Sequence, residues 1–168
     1  MSEARIATAP PRLLVFRVGT LACAAEVDQV REILPRLPTT RIPGAPPVVA
    51  GLANVRGTLV TVVEGWRALG QASPASPSSV VPEAAAGSTI IFELGKGEGE
   101  SGPGRKLIGF TVDEVVDMLA VGSGDTTLED RTGLPGVDPT LVRAVGRRHG
   151  ELFILLDVEA VLGPVLTT

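Results

Sequence analysis

The chain repeats itself, and that limits its fold more than any other feature. Val27-Asp28-Gln29-Val30-Arg31-Glu32-Ile33-Leu34 returns as Val112-Asp113-Glu114-Val115-Val116-Asp117-Met118-Leu119, with four of the eight positions identical. Gly57-Thr58-Leu59-Val60-Thr61-Val62-Val63-Glu64 returns as Gly150-Glu151-Leu152-Phe153-Ile154-Leu155-Leu156-Asp157, and the match runs on to Leu69-Gly70 against Leu162-Gly163. The offsets, 112 − 27 = 85 and 150 − 57 = 93 residues, differ by what one loop insertion absorbs. Such self-similarity marks one structural unit built twice.

The unit is β-rich. Arg12 to Val18 and Leu21 to Ala25 flank a Gly19-Thr20 turn, and Gly51 to Arg56 and Thr58 to Val63 flank Gly57. Ser88 to Leu94 pairs in pattern with Lys106 to Val112, and Leu141 to Arg148 with Glu151 to Leu156. Alternating apolar runs broken by glycine turns read as hairpins. Val27, Val30, Ile33 and Leu34 stand at helical spacing, cut short by Pro35 and Pro38. Trp66 to Leu69 and Asp157 to Leu162 read as helical turns. About five short strands per half can close into a small barrel, which removes exposed sheet edges. The expectation is an all-β fold with short helical turns: two small five-stranded barrels, adjacent or intertwined, spanning about 12–70 and 88–163 with a linker at 71–87. Residues 1–11 and 164–168 read as tails. Residues 95–105, with five glycines and two acids, read as a flexible loop.

The residues for chemistry are missing. The lone histidine, His149, sits at a hairpin turn, and no second His or Cys is present to complete a metal site beyond the single Cys23. Cys23 lies in Leu21-Ala22-Cys23-Ala24-Ala25, the setting of a small buried hydrophobe. No nucleophile motif and no phosphate-cradling glycine loop appears. Asp113, Glu114 and Asp117 read as a solvated face. No enzyme activity, cofactor or metal is therefore expected. The net charge of −4 argues against nucleic acid. It is unevenly spread, +2 over residues 1–84 (eight Lys/Arg, six Asp/Glu) and −6 over 85–168 (seven against thirteen). No apolar run reaches the ~18 residues of a membrane helix, and Met1 to Pro11 lacks a signal-peptide pattern, so the chain reads as cytosolic.

Pro43-Gly44-Ala45-Pro46-Pro47-Val48-Val49-Ala50-Gly51-Leu52-Ala53-Asn54-Val55-Arg56-Gly57 resembles the signature of CheW-like domains, the bacterial chemotaxis coupling family. The stretches Val30 to Ile33, Gly109 to Val115 and Phe153 to Asp157 are similar to its pattern as well. The resemblance implies two SH3-like five-stranded barrels and a non-enzymatic adaptor. Its implied partners are the cytoplasmic tip of a methyl-accepting chemoreceptor and the regulatory domain of a CheA-type histidine kinase. The receptor-contacting arginine of the family falls on Arg56, and other partner positions fall on Val30, Glu32, Gly51 and Gly57, with Asn54 in the same motif. For Gly51 and Gly57 the competing reading is a backbone conformation that only glycine tolerates. For Arg56 it is a solvated turn arginine. The pattern departs after Gly57: Thr61 replaces a proline, Glu64 an aspartate, and Gly65-Trp66 a Leu-Arg pair. Trp66, at a position that is ordinarily wet, is expected to show much of its indole to solvent as an interface anchor, the competing reading being that it folds down over its own barrel or under the 71–88 loop. These departures leave open a specialised paralogue, or a peptide- or ligand-binding barrel module outside a standard array.

Overall fold

A computed structural model describes residues 12–71, 87–95, 106–121, 127–129 and 136–166. The tail 1–11, almost all of the linker 71–87, most of the loop 95–105 and the last two residues lie outside the described set.

Among the described residues eleven strands follow in chain order: β1 (Arg12–Val18), β2 (Leu21–Glu26), β3 (Val30–Pro35), β4 (Val49–Val55), β5 (Thr58–Val63), β6 (Ser88–Leu94), β7 (Lys106–Val112), β8 (Glu114–Ala120), β9 (Thr127–Glu129), β10 (Val142–Arg148) and β11 (Glu151–Leu156). Two helices follow the repeated Gly-to-acid strands, α1 (Gly65–Ala68) and α2 (Val158–Leu166). The fold is the expected all-β class. The first sheet has the order β3-β6-β7-β5-β4 and the second β8-β1-β2-β11-β10, to which three-residue β9 adds a sixth strand.

The sheet orders also explain the repeat. If β3, β4, β5, β6 and β7 are matched to β8, β10, β11, β1 and β2, the two orders are the same. Each sheet is thus three strands of one sequence half completed by the hairpin of the other. The parallel pairs match as well, β5 with β7 and β11 with β2. Sequence halves and sheets are therefore different divisions of the molecule. The crossings are short: the 3₁₀ turn Val27–Gln29 after β2, and Asp113 between β7 and β8. Asp113 is fixed by its amide, which donates to Arg17 O at 2.9 Å, and by its carboxylate, which accepts from the Gly19 amide at 2.6 Å.

Two expectations need correcting. The segment from Val30 onward is strand, not helix, as is its copy from Glu114. Exposure alternates along β3, with Val30, Glu32 and Leu34 partly covered and Arg31, Ile33 and Pro35 exposed, and a bulge between Val30 and Glu32 shifts the register against β6. An outward Ile33 beside an inward Leu34 imitates helical spacing. The closing turn is longer than expected, running past Pro164 to Leu166, so residues 164–166 are helix and not tail.

One apolar core lies between the sheets. It holds Phe16, Val18 and Cys23 of the second sheet, Phe92 and Phe110 of the first, and Leu162 of α2. A smaller cluster of Leu13, Val15, Ala24, Phe153 and Leu155 fills the second barrel. Burial pushes the Cys23 thiol up to about 12, so it packs as a small hydrophobe.

Candidate docking site at the Arg56 turn

β4 and β5 are joined by two residues, Arg56 and Gly57, since Val55 pairs directly with Thr58. Both have positive φ, 51° and 88°, the geometry of a type I′ turn, whose twist matches that of the flanking strands. The side chain of Asn54 closes the turn by accepting from the Gly57 amide at 2.7 Å. A Cβ at Gly57 would meet nothing within 4 Å, so glycine is needed there for φ alone. The repeat reproduces this turn: His149 and Gly150 join β10 to β11 with φ of 50° and 81°.

Arg56 is a non-glycine residue in the left-handed region, which is uncommon and costs conformational energy. Its side chain is 71% exposed, yet it is held in one orientation. Nη1 and Nη2 donate to the two oxygens of Glu32 at 2.7 and 2.8 Å, a forked pair that fixes the plane of the guanidinium. Glu32 lies on β3 and Arg56 at the end of β4, the two edges of the first sheet. The pair therefore crosses the seam where the sheet closes. Backbone closes the same seam, because Thr40, beyond β3, exchanges two 2.8 Å hydrogen bonds with Leu52 of β4. Gly51 sits against this bridge at φ 150°, and a Cβ there would lie 2.3 Å from Thr40 O. The second barrel has a related clip, in which Arg148 of β10 donates to Asp117 of β8, the repeat equivalent of Glu32.

The hydrogen bonds from Arg56 hold the Glu32 carboxyl below its usual 4.5, against an upward push from desolvation, and the charges of Arg56 and Arg31 add to the lowering. A carboxylate with a depressed folded value stabilises the fold above its unfolded pKa and loses that contribution as pH falls through the folded one. The Glu32 carboxyl titration followed by NMR should therefore have its midpoint below 4.5 in the wild type and move up toward it in Arg56→Asn. An unmoved midpoint would show that the pair does not persist in solution.

The structure brings Glu32, Asn54, Arg56 and Gly57 together and sets Gly51 along the same seam. Val30 opens β3 but is half-buried against the main core. Trp66 stands apart on α1, which packs on β7. Contrary to the expectation of a largely wet indole, it is half-buried against the core, and the Arg67 guanidinium lies 4.6 Å above its ring. The neighbouring Gly65 amide donates to Thr111 Oγ1 at 3.0 Å, which draws α1 onto the barrel. Glu64, in place of the family's aspartate, makes no cap to α1 and reaches Arg36 at 3.5 Å. Asp157, its counterpart in the repeat, does cap α2, accepting from the Ala160 amide at 3.1 Å.

Reading the sequence alone missed the large hydrophobes that face out beside the turns. Leu59 is 66% exposed one residue past Thr58, and Ile33 is exposed one past Glu32. Their repeat equivalents, Leu152 and Met118, are exposed too. An outward apolar residue found at the same place in both halves was the available signal. Among the described residues, no group of His, Cys, Asp and Glu is placed to hold a metal ion, and no helix is long and apolar enough to cross a membrane.

Comparison with known proteins agrees with this architecture. The CheW-like domain pattern matches residues 12–164. The chain is 30% identical over 150 residues to the chemotaxis protein CheW of Rhizobium meliloti, across 89% of this chain and 85% of that protein. It is also 30% identical over 109 residues to a probable chemotaxis protein CheW of Rhizobium etli, across 65% of this chain and 60% of that protein's length. The crystal structure of the scaffolding protein TtCheW from Thermoanaerobacter tengcongensis superposes with a TM-score of 0.72 over 92% of this chain and 88% of that one, at 18% identity. With the two-barrel fold, the repeat and the N-x-R-G turn all in place, this chain belongs to the CheW-like domain family.

Proposed function

We propose that this chain is a non-enzymatic adaptor that couples chemoreceptors to a CheA-type histidine kinase. It would work in the cytoplasm, carried to receptor arrays at the inner membrane by its partners. The Arg56 turn would meet the receptor's cytoplasmic tip, and Val30, Glu32, Gly51, Asn54 and Gly57 would shape that contact. The observation that carries this reading is the guanidinium of Arg56, exposed and already oriented. Of the five N–H donors of an arginine, Glu32 takes two, so 5 − 2 = 3 remain for a carboxylate or carbonyls on a receptor helix. Fixing the side chain in advance lowers the ordering cost of binding.

Arg56→Asn tests this directly. Asparagine tolerates the left-handed turn and an exposed ion pair contributes little stability, so the fold should persist. Calorimetry should show weaker binding to a receptor-tip fragment by about 1–3 kcal/mol, the scale of lost charged hydrogen bonds. Unchanged affinity removes Arg56 from the site. Failure of the wild type to bind either a tip fragment or a CheA regulatory domain would favour a specialised paralogue or a peptide-binding module.

Trp66 bears on whether the partner set is the standard one. It is the single tryptophan and stands where family members usually carry arginine. If the part of its ring left uncovered joins an interface, its emission should shift blue on adding the true partner, and Trp66→Ala should weaken binding. Emission insensitive to every array component would make Trp66 purely a packing residue.

A further inference from the structure

Neither sequence half can complete a barrel. β3, β4 and β5 receive the β6–β7 hairpin of the second half, and β8, β10 and β11 receive the β1–β2 hairpin of the first. The exchanged strands are not peripheral. Phe16 and Val18 of one hairpin and Phe92, Ile108 and Phe110 of the other are buried in the shared core. A half left alone would expose these faces and unpaired strand edges. The only covalent link between the halves is residues 71–87, 87 − 71 + 1 = 17 residues.

From this we infer that two copies of the chain can exchange halves. In the exchanged dimer, residues 12–70 of one copy and 88–166 of the other build each two-barrel unit. Every contact between halves is the same in the closed monomer and in this dimer, so their balance rests on the linker. A connection of 17 residues confers an effective concentration on the order of mM. Exchange therefore competes when copies fold at comparable concentration, and sharing identical elements is a low-cost route to a dimer. Because the hairpins are core elements, interconversion requires unfolding, and a dimer once formed persists on dilution.

The register supplies a test. Arg17 on β1 lies opposite Glu114 on β8, both side chains exposed and from different halves. In a chain carrying Arg17→Cys, Glu114→Cys and Cys23→Ala, a disulfide closes within one chain in the monomer and between chains in the exchanged dimer. Refolding at about 1 µM should give internally closed monomers, and refolding at about 1 mM should raise the covalently dimeric fraction at least tenfold. Ordinary surface association leaves each chain internally closed and gives no covalent dimer. Closed monomers alone at the higher concentration would overturn the inference. Should the cysteines fail to pair, light scattering on the wild-type chain decides: a dimer surviving hours after dilution supports exchange, and immediate return to monomer refutes it.

Discussion

Phe110→Ala is expected to destabilise the protein by about 3–5 kcal/mol, the cost of deleting a buried aromatic and leaving a cavity. Phe110 lies on β7 at 1% exposure. Its ring meets Phe16 of β1 and Phe92 of β6, each at 6.1 Å between centroids and 69° between planes, the edge-to-face geometry aromatic pairs prefer. Phe16 belongs to the second sheet and Phe92 to the first, so this one ring joins the barrels. The chain has only four phenylalanines, and three of them meet here. Domains carry about 5–15 kcal/mol in total, so the loss is a large fraction of the stability. Urea unfolding should show a midpoint well below wild type with an unchanged slope. A loss under about 1.5 kcal/mol would mean that the cavity collapses and that the junction does not depend on this ring.

That junction also shows what a sequence hides. The four main hairpins are legible because their partners are neighbours in the chain and their turns are marked by glycine. The pairing of β1 with β8, by contrast, joins Arg12 to Ala120, and no local pattern encodes which distant edge a strand will meet. The repeat gives two equivalent units but is silent on whether each closes on itself. β3 and β8 were obscured by their outward Ile33 and Met118, because an apolar residue on the wet face breaks the two-residue period. At the site, the N-x-R-G turn was legible from the family resemblance. The forked pair between Arg56 and Glu32 was not, since its partners lie on opposite edges of a sheet that closes only in three dimensions. Trp66 was placed by analogy with a wet arginine, whereas α1 is drawn onto β7 and carries the indole partly into the core.

Gly51→Ala separates two meanings of a partner-site glycine. Gly51 has φ 150°, which L side chains rarely adopt, and it lies where the register of β4 against β5 shifts. An added Cβ would stand 2.3 Å from Thr40 O and 2.7 Å from Thr40 C, with backbone and not a flexible side chain in the way. Either the strand or the 36–40 segment must move, and the two Thr40–Leu52 hydrogen bonds are lost. Two net hydrogen bonds at about 0.5–1.5 kcal/mol each and backbone strain of about 1–3 kcal/mol give an expected loss near 3–4 kcal/mol. The consequence reaches the proposed docking site, because Glu32 and Arg56 face each other across the same seam. Opening it releases the guanidinium from its fixed orientation, so affinity for the receptor tip should fall together with the melting temperature. A direct contact would behave differently: Gly51→Ala would melt like wild type and still bind weakly. Calorimetric binding and thermal unfolding on the same sample distinguish the two, and a wild-type melting temperature would remove Gly51 from the seam.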